Sequence, residues 1–217
     1  MATDFQAARN TMVEQQVRPW DVLDPRVLEA MAAVPREQFV AAAYRTLAYA
    51  DMPLPLAHGE AMLKPVVEGR LLQALELQPG AEVLEIGTGS GYLTACLARL
   101  AREVVSIDIH EEFTRQARAR LDGFGVGNVR LETADAFAFA PARQFDAVAV
   151  TGAVAQMPAA FAHWLKPGGR LFVVHGASPV QTAVRGTWRG EQLHLESLFE
   201  TDIPYLRGAE PVARFRL

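Results

Sequence analysis

Hydrophobic and polar positions along this chain fall into two regimes that change over near residue 81. In residues 4–40 the apolar positions recur at helical spacing, and Phe5, Ala8, Met12 and Val17 predict one amphipathic helix. Asp24 followed by Pro25 reads as an N-cap with proline at the first helical position. It opens a helix over Val27–Val34, which Pro35 ends. Residues 48–65 mix Pro53, Pro55, Gly59 and Pro65 with Met52, Leu54, Leu56 and Met62, which predicts an ordered, partly buried loop. A helix over Val66–Leu77 follows and stops at Pro79-Gly80.

Beyond that point short apolar runs alternate with helical stretches. Strands are expected at 81–86, 103–107, 129–132, 145–150 and 170–174. Helices are expected at 92–100, 111–121 and 158–165, the last stopped by Pro167-Gly168-Gly169. The 111–121 helix has acids at its start and arginines toward its end, in accord with the macrodipole. In the tail, 180–217, patterns such as Leu193-His194-Leu195 predict antiparallel strands. Strand alternating with helix predicts an α/β fold with a mostly parallel sheet covered on both faces. Such sheets bind ligands at the carboxyl ends of their strands.

Composition narrows the picture. A chain of 217 residues supports one sizeable core rather than two. A net charge of -4 leaves no electrostatic footprint for nucleic acid. Arg115, Arg118 and Arg120 sit at helical spacing and read as a solvated helix face rather than a binding patch. The single cysteine, Cys96, cannot form an intrachain disulfide, and among Leu93, Ala95, Leu97 and Ala98 it reads as a core residue rather than a nucleophile. Met1–Asn10 has no signal pattern, and no apolar run approaches the ~20 residues of a membrane span, so the cytoplasm is the expected location. The histidines at 58, 110, 163, 175 and 194 have no metal-ligand spacing, and no metal site is expected.

The candidate chemistry begins at Glu85-Ile86-Gly87-Thr88-Gly89-Ser90-Gly91, between an expected strand and an expected helix. Glycine permits the backbone angles of so tight a reversal and lets a ligand lie against the main chain. The G-x-G-x-G spacing differs from the G-x-G-x-x-G of dinucleotide folds, and no Lys-Ser/Thr follows as in a phosphate-cradling loop. On its own the turn also fits a tight connection without a ligand. Asp108 stands 21 residues after Gly87, at the end of the next strand, where an acid can accept hydrogen bonds from a ribose diol. Asp135 follows the third strand; it can accept from an adenine amino group or serve as a cap or loop acid. Three successive strand ends thus carry cofactor-type residues.

The segment Val83–Tyr92 resembles the cofactor motif of the protein-L-isoaspartate O-methyltransferases almost letter for letter. The resemblance extends to Val34-Pro35-Arg36-Glu37-Gln38-Phe39-Val40, to Tyr49–Leu56, to Asn128-Val129, to Phe145–Thr151 and to Leu165–Leu171, covering about residues 30–175. Asp202-Ile203-Pro204-Tyr205-Leu206 is faintly similar to the family's VPL ending. The resemblance implies a Rossmann-like S-adenosylmethionine-dependent methyltransferase fold. It divides the one domain, 1–217, into an N-terminal helical, substrate-side extension (1–80), a cofactor-binding core (81–175) and C-terminal strands (176–217). It also implies methylation of isoaspartyl carboxylates in damaged proteins or peptides, with S-adenosylhomocysteine as product. Carried over by residue, Glu85, Gly87, Thr88, Gly89, Ser90, Gly91, Tyr92, Asp108, Ile109, Asp135, Ala136 and Thr151 would form the cofactor site.

The chain departs from the family pattern where the acceptor is expected. The family's G-Q-T-I-S-Q-P is here Gly59-Glu60-Ala61-Met62-Leu63-Lys64-Pro65, so Ala61 and Leu63 stand in place of two hydroxyl residues. Leu63 occupies the position of the family's active-site serine. Lys64 is a candidate cation for the acceptor, opposed by Glu60, and also fits a plain surface residue. The family's G-D-G is Ala134-Asp135-Ala136. Beside the repair reading stand a relative with another carboxylate or small-molecule acceptor and a non-catalytic cofactor-binding protein. A nicotinamide-dependent dehydrogenase is disfavoured by the glycine spacing.

Overall fold

A computed structural model describes residues 4–212, so the first three residues and the end of the predicted tail, 213–217, lie outside it. The apolar runs beyond residue 81 form strands, and in β3, β4 and β6 most side chains are buried on one face of the sheet or the other. Strand β3 (Glu82–Ile86) runs parallel to β4 (Glu103–Asp108) and to β6 (Phe145–Val154), β4 runs parallel to β5 (Val129–Thr133), and β6 to β7 (Leu165–His175). Strands β8 (Gln181–Arg189) and β9 (Gln192–Thr201) add an antiparallel edge, giving the order β5-β4-β3-β6-β7-β8-β9. The small hairpin of β1 (Leu54–Pro55) and β2 (Ala61–Met62) stands apart and organises the proline-rich loop.

Alternation sorts the core into two layers. Val83, Val104 and Phe172 face one side of the sheet, while Leu84, Ile86, Val105, Ile107 and Val173 face the other. The first side packs against α2 (Pro25–Ala33), α3 (Pro65–Ala74), α4 (Tyr92–Leu100) and Leu121 of α5 (Glu111–Gly123). The second side is covered more thinly, by the short α6 (Ala159–His163) with Trp164, Phe139 and Met157.

Several elements differ from the sequence reading for identifiable reasons. The first helix, α1 (Phe5–Thr11), continues as a π-helix over Met12–Val17 and a 3-10 turn over Arg18–Trp20. Met12 and Val17 are five residues apart, a spacing that the wider π turn accommodates, and both are wholly buried. Helix α6 is shorter than expected because its carboxyl end joins β7 directly. Residues 166–169 loop out where the register jumps from Phe145↔Leu165 to Ala147↔Arg170, so the Pro-Gly-Gly stop lies inside β7 rather than before it. Lys166 pins that loop to Glu82 and Asp146, at 2.8 and 2.9 Å. Asp24 caps α2 as expected, accepting from the Arg26 backbone N–H.

A buried arginine holds the segments that precede β3 to one another and packs against the start of α4. Arg36 is 0% exposed. Its Nε donates to the Ala48 carbonyl at 2.8 Å, Nη2 to the Leu63 carbonyl at 2.6 Å, and Nη1 pairs with Glu68 of α3. The guanidinium also lies 4.7 Å from the Tyr92 ring centroid. One side chain thus ties the 48 and 63 loops, α3 and the start of α4 together.

Candidate cofactor and acceptor site

The chain winds outward from β3 to β5 and then returns to β6 on the other side of β3. The crevice this reversal opens lies beyond the carboxyl ends of β3 and β6. Thr151, near the end of β6, bridges that point: its hydroxyl donates to the Ile86 and Gly87 carbonyls at 3.0 and 2.9 Å. A Cβ on Gly87 would stand 2.1 Å from Thr151 Oγ1, and Gly87 has φ +97°. Glycine is therefore required there by the packing of the two strands, before any ligand is considered. Gly89, at φ +48°, would set an added Cβ 3.3 Å from Leu56 Cδ1, and it lines the cleft with main chain alone.

Asp108 ends β4 and holds the turn in shape. Its Oδ2 accepts from the Gly89 N–H at 2.8 Å and its Oδ1 from the His110 N–H at 2.9 Å. Burial raises its pKa, and those two N–H groups oppose the rise. Arg120 of α5 anchors the turn from behind, donating to the Ser90 carbonyl at 2.8 Å. The arginine row of α5 is therefore not a wholly solvated face, because Arg120 is spent on the glycine turn.

A concave cleft opens at these strand ends, the place where sheets of this kind bind their ligands. Of the residues expected to hold a cofactor, Gly87, Gly89, Asp108, Ile109, Asp135, Ala136 and Thr151 line it. A smaller cavity beyond the turn is lined by Thr88, Ser90 and Leu63 and shares Gly87, Gly89 and Thr151 with the cleft. Asp135 also plays the local role expected of a loop acid, its Oδ1 accepting from the Phe137 N–H at 2.9 Å.

Four candidates are placed elsewhere. The Glu85 side chain is wholly buried behind the turn, its Oε2 accepting from Thr94 Oγ1 at 2.5 Å and Ser106 Oγ at 2.6 Å. Burial pushes its pKa up to about 8 against the pull of those hydroxyls. Gly91 makes room for Ala117, whose Cβ would be 2.9 Å from an added Cβ. Tyr92 lies in the core against Phe39 and under Arg36. Lys64 turns away from the cleft, with Nζ 5.5 Å from the Trp20 ring centroid.

Other residues at the cleft had no site role assigned from the sequence, although Pro204, Tyr205 and Leu206 belong to the segment faintly similar to the family's ending. Phe137 lines it two residues after Asp135. The tail brings in Pro204, Tyr205, Leu206 and Arg207, pinned to the end of β6 by bonds of 2.8 Å from Ala153 N to Pro204 O and from Leu206 N to Ala153 O. Arg207 reaches across to the β1–β2 loop, with Nε 3.2 Å from Glu60 Oε1 and Nη2 2.7 Å from the His58 carbonyl. The His58 and His110 rings stack at 4.0 Å beside this contact. No group of three or more potential metal-ligating side chains gathers among the described residues. Among the same residues no helix is long and apolar enough to cross a membrane.

Comparison with known proteins agrees with this geometry. The sequence model of the family described as protein-L-isoaspartate(D-aspartate) O-methyltransferase matches residues 7–199. A protein-L-isoaspartate O-methyltransferase of Methylorubrum extorquens is 40% identical over 215 residues, covering 96% of this chain and 94% of the relative. One of Koribacter versatilis is 39% identical over 180 residues, covering 82% of this chain and 81% of the relative. Among solved structures, a Plasmodium falciparum protein described as a protein-L-isoaspartate O-methyltransferase in complex with S-adenosyl-L-homocysteine superposes with a TM-score of 0.78. It is 18% identical, covers 91% of this chain and 97% of its own, and so bears on the fold alone. The mostly parallel sheet with its antiparallel edge, the glycine turn and the matched sequence together place this chain in the protein-L-isoaspartate(D-aspartate) O-methyltransferase family.

Proposed function

We propose that this protein transfers a methyl group from S-adenosylmethionine to the free carboxylate of isoaspartyl residues in damaged proteins or peptides. The observation that carries the reading is the convergence of Gly87, Asp108 and Asp135, from three successive strand ends, on one cleft. The cleft suits the cofactor on its own terms. Gly89 lines it with main chain alone, Asp108 presents a carboxylate for the ribose hydroxyls, and Asp135 lies beside the apolar Ile109, Ala136 and Phe137, which suit an adenine ring.

When bound, S-adenosylmethionine supplies a methyl carbon to the attacking carboxylate oxygen, whose lone pair forms the C–O bond while the C–S pair leaves to sulfur. A carboxylate, with a pKa near ~4, is already ionised at neutral pH and needs no general base. The protein's contribution is therefore placement and exclusion of water. The β1–β2 loop forms one wall of the acceptor side and residues 204–207 the other, with Thr151 and the glycine turn as the floor.

A second reading, a relative with another acceptor, is favoured by the apolar wall that Leu56, Ala61, Met62 and Leu63 give the smaller cavity. Transfer of radiolabelled methyl to an isoaspartyl peptide, as a base-labile ester, is the deciding measurement. Tight binding of S-adenosylhomocysteine without transfer would reject the repair reading, and a screen of other acceptors would then test the second.

A further inference from the structure

The acceptor of the proposed reaction is an anion, and the cleft is acidic. Glu60, Asp108 and Asp135 line it, and Arg207 is the only lysine or arginine among its described lining residues. An incoming carboxylate meets like charge on most sides, which disfavours it in a partly desolvated site. The loop that would greet it carries Ala61 and Leu63, and neither side chain can donate a hydrogen bond.

Arg207 is well placed to compensate. Its backbone neighbourhood is fixed, because Leu206 N bonds to Ala153 O and Ala155 N to Ala209 O, each at 2.8 Å. Leu206 also packs so closely on Gly152 that a Cβ there would lie 2.7 Å from Leu206 Cδ2. The guanidinium crosses to the acceptor loop, where Nε meets Glu60 Oε1 at 3.2 Å and Nη2 donates to the His58 carbonyl at 2.7 Å. That ion pair is half exposed on the arginine side, and Glu60 is 27% exposed. Such a pair is weak and exchangeable, whereas guanidinium binds a free carboxylate best through two parallel N–H···O bonds.

We propose that Arg207 binds the acceptor carboxylate and that Glu60 holds the same guanidinium until the acceptor replaces it. Arg207 is on this account a specificity-determining residue that takes over from the hydroxyls absent at 61 and 63, and Glu60 is a built-in competitor. The assignment rests on the isoaspartyl reading above.

The test uses the full chain with Arg207→Ala, Arg207→Lys and Glu60→Gln variants. Two quantities are read: the KM of an isoaspartyl peptide, and its affinity for the protein loaded with S-adenosylhomocysteine. The same peptide with its free carboxylate converted to carboxamide serves as the comparison ligand. Arg207→Ala is expected to raise KM about tenfold or more and to weaken the carboxylate peptide equally, while leaving the carboxamide peptide and S-adenosylhomocysteine unaffected. Arg207→Lys restores part of the loss. Glu60→Gln lowers KM, because the competitor is gone. Arg207→Ala with unchanged KM, equal weakening of both peptides, or Arg207→Ala and Glu60→Gln both raising KM alike each overturns the proposal, the last two marking a merely structural latch. A wild-type protein that binds S-adenosylhomocysteine but neither methylates nor binds the isoaspartyl peptide overturns the functional reading and this assignment together.

Discussion

Single residues at the strand ends do work that no neighbouring side chain can take over. Gly87 is closed to any Cβ by Thr151, so Gly87→Ala must push β3 and β6 apart or move the turn. The expected cost is about 1–3 kcal/mol of stability, read by urea denaturation, with a parallel loss of S-adenosylhomocysteine affinity by calorimetry. Glu85 makes a different prediction. Its pKa is pushed up to about 8 in the folded protein from 4.5. The folded state therefore holds the extra proton between those values, and stability falls as pH rises through that window. Glu68, raised to about 7 by burial despite Arg36, acts in the same sense. Unfolding free energy measured from pH 5 to 8 should decline in the wild type by an amount on the order of a few kcal/mol. Glu85→Gln should flatten the decline while leaving the share of Glu68.

At the scale of elements, the alternating part of the chain was legible because each strand needs only its own apolar run and each helix its own periodicity. The strands β3 to β6 and helices α3 to α5 lie where those patterns put them, within a few residues. The glycine turn with Asp108 and Asp135 was legible for a similar reason: strand ends in a parallel sheet converge whatever the loops do. What stayed hidden depends on contacts between distant segments. Nothing around Arg36 announces a buried arginine serving two loops and two helices, and nothing around Arg207 places it over residue 60. The burial of Glu85 and the turning of Lys64 toward Trp20 are of the same kind, since each is decided by a partner far away in sequence or behind the motif. Arg36→Ala would strand Glu68 without its cation and leave the Ala48 and Leu63 carbonyls unpaired. A loss of about 3–5 kcal/mol in denaturation is expected, the amount typical of breaking a buried pair from one side.

For the molecule as a whole, the cleft is assembled from segments far apart in the chain, with the β1–β2 loop and residues 204–207 meeting across a floor made by β3, β4 and β6. A ligand that fits there binds only the folded chain. Saturation with S-adenosylhomocysteine at about a hundred times its dissociation constant should add about 2.7 kcal/mol. For a chain of this size that corresponds to a rise in Tm of about 5–10 °C, measurable by scanning calorimetry.

The pinning of residues 204–209 onto the end of β6 has a consequence for synthesis on the ribosome. Every strand of the sheet emerges before this segment does. A nascent chain can therefore complete its sheet and present the glycine turn while one wall of the cleft is still missing. That wall docks last, so a chain whose sheet is complete still lacks a finished cleft until the segment after the final strand has been made.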